Sequence, residues 1–267
     1  MTPAKKEGGQ YHIRCAPGEL PPYVLLPGDP ARVSLIGEGW DRYEQVSEHR
    51  EYRCGKGVYK GVEMAVCSTG IGAPSTTIAI EELARLGCHT FIRVGSTGAL
   101  QREIGCGDLV VNTGSVRMDG ASERYVLKGY PAVASYEVTL ALIEACERVK
   151  TRYHVGIAAS TDSFYLGQGR PGYGGYWQSR VDHLLEDLQQ ARVTNFEMEA
   201  AAVFVLANLF DLRAGCVCAV FANRVTDAFE EKGEREACTA ASEALRILAE
   251  WDAAKGKKGK RYYYPSL

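Results

Sequence analysis

The 267-residue chain predicts a single α/β domain with a central mixed β-sheet flanked by helices. Three observations carry this expectation. Short β-rich apolar runs alternate with longer segments of helical period. Several of the runs lead into glycine- and hydroxyl-bearing stretches, the arrangement that puts a ligand at strand ends. No Pro/Ser-rich linker and no internal repeat divides the chain. The expected strands cover 23–27, 62–67, 90–94, 108–112, 153–159 and 214–222, and the expected helices lie near 75–86, 136–149, 198–210 and 236–250.

The elements follow from the residues in order. Val24, Leu25 and Leu26 run into Gly28-Asp29-Pro30-Ala31-Arg32, which reads as strand, tight turn and helix start: Asp29 caps, Pro30 suits the first helical position, and Arg32 falls in the first turn. A plain helix N-terminus explains that pattern. A bound anion also explains it, since an arginine sits on the wrong side of the helix dipole there. Met64-Ala65-Val66-Cys67 leads into Ser68-Thr69-Gly70-Ile71-Gly72-Ala73-Pro74-Ser75 and an amphipathic stretch that ends at Leu86-Gly87. Phe91, Ile92 and Val94 carry Arg93 into Gly95-Ser96-Thr97-Gly98. This is read as a turn whose backbone N–H groups and Ser96 and Thr97 hydroxyls, with the Arg93 fork, hold a small anion; a turn without a ligand is the other reading. The glycine-rich segment 169–175 is expected to be a mobile surface loop. Cys216 and Cys218 are expected to share one strand face. The residues from Lys255 onward, basic and then tyrosine-rich, are expected to be solvated, with 1–10 and 254–267 as flexible termini.

Composition narrows the function. The formal charge of −2 lacks the basic excess that a nucleic-acid surface needs, while leaving room for a few arginines around one small anion. The chain carries no apolar leader-type segment and no run of about 18 apolar residues, so no membrane span and a cytoplasmic protein are expected. The nine cysteines lack paired spacing and read as buried, reduced thiols. No Gly-x-Gly-x-x-Gly follows the first strand, which disfavours a dinucleotide-binding oxidoreductase. Glu197 and Glu199 lie on one side of the chain if their segment is extended and diverge if it is helical; two acids at a helix start are also favoured by the dipole alone.

Taken together, Gly-Asp-Pro-Ala-Arg at 28–32, Ser-Glu-His-Arg-Glu-Tyr at 47–52, the segments 68–75 and 93–100, Asp-Ser-Phe-Tyr-Leu-Gly-Gln-Gly-Arg at 162–170, Asn-Phe-Glu-Met-Glu-Ala-Ala-Ala at 195–202 and Ala-Asn-Arg at 222–224 resemble the nucleoside phosphorylase family of the uridine phosphorylase and hexameric purine nucleoside phosphorylase type. The match runs from about Tyr11 to Arg224 and is closest to the uridine phosphorylases.

The resemblance implies a site. Gly28, Arg32, Arg93 and Ser96 would hold phosphate, joined by Arg50 from a neighbouring subunit. His12, also donated in trans, would contact the ribose 5′-hydroxyl. Glu199 would accept from the ribose hydroxyls, with Glu197, Met198, Ser96 and Gly98 lining the nucleoside. Phe164 would line the base pocket, and Gln168 and Arg170 would read the uracil edge. Arg93, Gln168, Arg170 and Glu199 are the catalytic set. The place where purine-specific relatives carry an acid reads Ala222-Asn223-Arg224, which favours a pyrimidine. The implied activity is reversible phosphorolysis of uridine, deoxyuridine or thymidine, with inorganic phosphate as co-substrate and no required cofactor. A homodimer is the minimum assembly and a hexamer the larger one, with an interface cation held at Glu51, Ile71 and Ser75. The rival readings are a purine phosphorylase or a nucleosidase of the same fold, and a non-catalytic nucleoside-binding subunit.

Overall fold

The computed structural model describes residues 8–266. The expected flexible N-terminus falls largely outside them. In chain order the elements are β1 (Tyr23–Pro27), α1 (Pro30–Glu38), β2 (Arg42–His49), β3 (Tyr52–Tyr59), β4 (Val62–Cys67), α2 (Ala73–Arg85), β5 (Thr90–Ala99), β6 (Leu109–Met118), α3 (Ser122–Tyr125), β7 (Ala132–Val133), α4 (Tyr136–Val149), β8 (Tyr153–Thr161), α5 (Leu184–Gln190), β9 (Asn195–Glu197), α6 (Ala200–Leu209), β10 (Arg213–Asn223), β11 (Ala228–Phe229) and α7 (Glu234–Lys258).

All strands belong to one mixed sheet ordered β11-β10-β6-β8-β9-β5-β1-β4-β3-β2, with β7 beside β6. A second pairing joins β10 to β5, so β5, β10, β6, β8 and β9 close into a ring from which β1, β4, β3 and β2 extend as an open wing. The period of two sorts the core. Val24, Leu26, Phe91, Cys216 and Cys218 face α2 and α6, whereas Leu25, Ile92, Val94, Val217 and Ala219 face α1, α4 and α7. Arg93, between Ile92 and Val94, therefore points to the α2/α6 side. Helix α6 is buried on every face from Ala200 to Ala207.

Two expectations are corrected. The first concerns 95–98, which is strand and not turn: β10 pairs in parallel with β5 from Thr90 to Ala99, and β9 pairs with Gly98 and Ala99. The glycine at 95 is there for close packing, because a Cβ would lie 2.7 Å from Cys218 Sγ and 2.9 Å from Arg93 Nη2. The second concerns the tail. Helix α7 continues to Lys258, and Lys255 is buried on Glu137 at 2.6 Å and Asp252 at 2.9 Å. Tyr263 stacks on Trp251 with ring centres 3.9 Å apart and donates its N–H to Glu137 at 2.8 Å. A tail with polar composition is thus docked, because Lys255 and Tyr263 meet the buried Glu137 more than a hundred residues upstream and Tyr263 stacks on Trp251 of α7 itself. The β2–β3 hairpin is not among the expected strands; β2 lies at the sheet edge with its residues exposed or half-buried and lacks an apolar signature.

Candidate active site

The helix start expected at 28–32 forms as read: Asp29 accepts from the Ala31 N–H at 2.8 Å, Pro30 opens α1, and Arg32 is in the first turn. Its Nη1 donates to the Val94 carbonyl of β5 at 3.0 Å and its Nε to Glu234 at 2.7 Å, leaving Nη2 without a partner among the described residues. Gly28 lies close against the Gly70 carbonyl, 3.3 Å from where a Cβ would stand. The C-terminal ends of β1, β4 and β5 thus converge, since all three run parallel.

Arg93 is the centre of this end. It is 5% exposed, and its Nε donates to Glu197 Oε2 at 2.8 Å while Nη2 pairs with Glu199 Oε2. The open question about the two acids resolves at a strand-to-helix junction. Glu197 ends β9, and Glu199 is the N-cap residue of α6 with non-helical backbone, so both carboxylates turn to the same guanidinium. Glu197 also accepts from the Glu199 and Ala200 N–H groups at 2.8 and 2.7 Å and from the Ser160 hydroxyl. Glu199 accepts from Gly72 N–H at 2.5 Å. Burial pushes the Glu199 carboxyl above its ordinary value, Arg93 opposes that, and the neighbouring Glu197 charge adds to it. Met198, between them, is half-buried.

Ser96 and Thr97 divide. The Ser96 hydroxyl has no partner among the described residues and remains available at the strand end. That of Thr97 donates to the Phe196 carbonyl and accepts from Asn195 at 2.8 Å, so it ties β5 to β9 and is not an anion donor.

The three residues expected to line and read a base, Phe164, Gln168 and Arg170, come together on the segment after β8. Arg170 Nη1 donates to Gln168 Oε1 at 2.5 Å and to the Phe164 carbonyl at 3.0 Å, and its guanidinium lies 4.3 Å from the Phe164 ring centre. Gln168 is buried, whereas Phe164 is half exposed. Arg224 Nη1 donates to the Gln168 carbonyl at 2.9 Å, and its chain packs 3.5 Å from where a Gly98 Cβ would be. Burial first, and then the Arg224 charge, lower the Arg170 pKa to about 10. The segment therefore carries two mutually repelling cations beside one amide, an arrangement suited to an electron-rich planar edge.

Arg50 and His12 stand apart from this cluster. Arg50 is exposed at the β2–β3 tip with φ of 58° and has no partner among the described residues. His12 is held by Glu82, which accepts from His12 N–H at 3.0 Å and meets its Nδ1 at 2.7 Å, and the His12 carbonyl lies 3.0 Å from His49 Nδ1. His12 and Arg50 thus occupy one corner of the wing. Among the described residues no contact joins either of them to Arg93, Glu197 or Glu199. Glu51 and Ser75 both border Gly70, with Glu51 Cγ 2.8 Å and Ser75 Oγ 3.4 Å from its ideal Cβ position, and Ile71 is 79% exposed beside them. Among the described residues no group of three or more His, Cys, Asp or Glu side chains is arranged to hold a metal, and no helix is long and apolar enough to cross a membrane.

Sequence reasoning missed Ser160, Glu234 and the contact made by Arg224. Only Arg224 carried a signal, inside the Ala-Asn-Arg segment. A cleft of about 510 Å³ opens between Glu19, Arg42, Lys56 and Glu63 at the other end of the strands, away from these groups.

A single mixed sheet with helices on both faces and a buried arginine–carboxylate cluster at parallel strand ends defines a nucleoside phosphorylase-type α/β fold. The family model described as the phosphorylase superfamily matches residues 22–249, and the chain belongs to that family. It is 61% identical over 265 residues to a uridine phosphorylase of Thermococcus kodakarensis, covering 99% of this chain and 96% of that protein. It is 45% identical over 204 residues to a uridine phosphorylase of Escherichia coli, covering 75% and 80%. A guanosine phosphorylase of Halorubrum lacusprofundi is 40% identical over 216 residues, covering 81% and 84%.

Proposed function

We propose that the protein is a uridine phosphorylase, a pentosyltransferase that converts uridine and phosphate reversibly to uracil and α-ribose 1-phosphate in the cytoplasm, as a homodimer or a larger assembly of such dimers. The reading rests first on Arg93, a buried guanidinium shared by two carboxylates, on the strand that also carries the free Ser96 hydroxyl and whose Val94 carbonyl accepts from Arg32. Phosphate is bound among Gly28, Arg32, Arg93 and Ser96, with Arg50 of a second copy closing over it. Glu199 accepts from the ribose hydroxyls, Met198 packs along the sugar, and His12 of the second copy reaches the 5′-oxygen. Breaking the bond from C1′ to the base leaves positive charge on the sugar and negative charge on the departing uracil. A phosphate oxygen beneath C1′ stabilises the first and then bonds to it. Gln168 and Arg170 strengthen their hydrogen bonds to the uracil edge as its oxygens gain charge, over the face of Phe164. No cofactor is needed. A cation at Glu51, Ile71 and Ser75 is a structural element of the interface.

A purine substrate is the second reading, supported by the guanosine phosphorylase similarity. The deciding experiment gives the purified protein uridine, thymidine, inosine and guanosine, each with and without phosphate, and measures free base and sugar 1-phosphate. Phosphate-dependent release of uracil is expected. Faster release from guanosine or inosine reassigns the base, release without phosphate makes the protein a nucleosidase, and binding without turnover makes it a sensor.

A further inference from the structure

Cys54 of β3 and Cys67 of β4 face each other across the antiparallel ladder, with their sulfur atoms 3.2 Å apart and both side chains fully buried. The adjoining pair fixes the class of this one. Ser68 N–H donates to the Arg53 carbonyl at 3.0 Å, so Arg53 and Ser68 form a hydrogen-bonded position and Cys54 and Cys67 a non-hydrogen-bonded one. At such positions the Cα atoms are about 4.5 Å apart and the side chains lean together, within the 4.4–6.8 Å window that a disulfide requires. The other close thiols differ. Cys216 and Cys218 are 3.6 Å apart, but they are next-nearest neighbours on one strand, where two rises of about 3.3 Å separate the Cα atoms near the upper limit and the side chains stand parallel rather than facing.

We propose that Cys54 and Cys67 form an intrachain disulfide when the chain meets a low-molecular-weight disulfide, and that this crosslink staples the β3–β4 ladder beneath the hairpin tip that carries Arg50. The chemistry is two exchanges. One cysteine thiolate attacks the small disulfide, making a mixed disulfide and releasing one small thiol. The second cysteine then attacks that mixed disulfide, forming the Cys54–Cys67 bond and releasing the other small thiol. Two S–H bonds of the protein are replaced by one S–S bond, and the small disulfide is reduced to two thiols. The contact with Cys15 favours the Cys54 thiolate, but the hydrogen bond to Cys67 and burial outweigh it and push this thiol well above its ordinary range. Exchange therefore proceeds while the wing is forming or opened by heat, and the finished bond is shielded from reductant. With a sequence separation of 13 between the two cysteines, the loop it closes is short and the ladder is already in register.

The test holds the full-length protein with oxidised and reduced glutathione at raised temperature and, in parallel, refolds it in the same buffer. Iodoacetamide under denaturing conditions then counts thiols by intact mass, and peptide mapping locates the bond. The expected result is seven alkylated cysteines of the nine, a linked Cys54–Cys67 peptide, and a melting temperature raised on the order of 5 °C. That rise should vanish in Cys54→Ala and in Cys67→Ala. Nine alkylated cysteines, or a bond mapped to any other pair, overturns the proposal. Mapping on the unsubstituted protein decides the matter even if either variant fails to fold.

Discussion

Arg93 and Glu197 meet at 2.8 Å through the guanidinium Nε, at a point from which water is nearly excluded, and the same guanidinium also pairs with Glu199. One cation therefore holds two buried anions. Its remaining nitrogen, Nη1, has no partner among the described residues, which leaves one donor edge of Arg93 for a ligand. A bound anion would compete with the carboxylates for the same charge; burial raises the Glu199 pKa, with Arg93 opposing and the Glu197 charge adding to it.

The substitution Arg93→Gln strands both carboxylates. Removing one partner from a buried ion pair typically costs about 3–5 kcal/mol, so the urea midpoint should fall markedly while phosphate saturation weakens. The variant therefore reports on the fold as well as on phosphate, and an unchanged midpoint would remove the ion cluster from the account.

Ser160→Ala isolates the support for that cluster. The Ser160 hydroxyl donates to Glu197, accepts from the Ala201 N–H at 2.8 Å and contacts Ser115 Oγ at 2.7 Å. Leaving those groups unpaired costs about 1–3 kcal/mol, and kcat should fall by roughly tenfold as Glu197 and Arg93 lose their fixed geometry. A variant with native kcat would confine Ser160 to packing.

Gly95→Ala drives a methyl group into Cys218 and Arg93, both closer than 3.0 Å. The guanidinium must shift, so the KM for phosphate should rise by at least tenfold. The double variant Gly95→Ala/Cys218→Ala, which relieves only the sulfur contact, should recover stability more than it recovers KM.

Arg170→Ala removes a charge-assisted donor from the base side. A loss of about 1.5–3 kcal/mol corresponds to one to two powers of ten in turnover if the bond strengthens in the transition state, measured as kcat at saturating uridine. A change confined to KM would mean that Arg170 binds the base equally well before and during bond cleavage.

Acid stability should depend on Asp252. Burial raises its pKa, but hydrogen bonds from Arg213, Tyr23 and Lys255 outweigh burial and hold it at about 2, against an ordinary value of 3.8. The folded protein thus binds fewer protons at this group than the unfolded chain. The resulting stability is complete above that ordinary value and is lost as pH falls from there through about 2. Urea midpoints taken across that window should fall less steeply in Asp252→Asn than in the native chain.

The parts of this molecule that a reader of the sequence could find are those whose cause is local. Asp29, Pro30 and Arg32 specify their helix start by adjacent residues, and it forms accordingly. The segment from Gly95 to Gly98 misleads because glycines in a strand look like punctuation, while the cause of Gly95 is Cys218 on β10, more than a hundred residues away. The tail from Lys255 misleads in the same way, because Glu137, also more than a hundred residues upstream, holds it. Glu197 and Glu199 stayed ambiguous until the strand-to-helix junction aligned them. Ser160 and Glu234 carry no local mark at all, since each matters only through the charged side chain it supports.

The closure of β5, β10, β6, β8 and β9 on themselves has a consequence for how such a protein diversifies. The wall carrying Ser96, Glu197 and the Arg93 backbone is a hoop without a free margin, so any insertion there would break ladder bonds on two sides. The stretch from Phe164 to Tyr176 lies outside that hoop, where a residue can be exchanged without breaking a ladder bond. Change in sequence is thus channelled to that stretch, while the wall is held fixed by its own ladder.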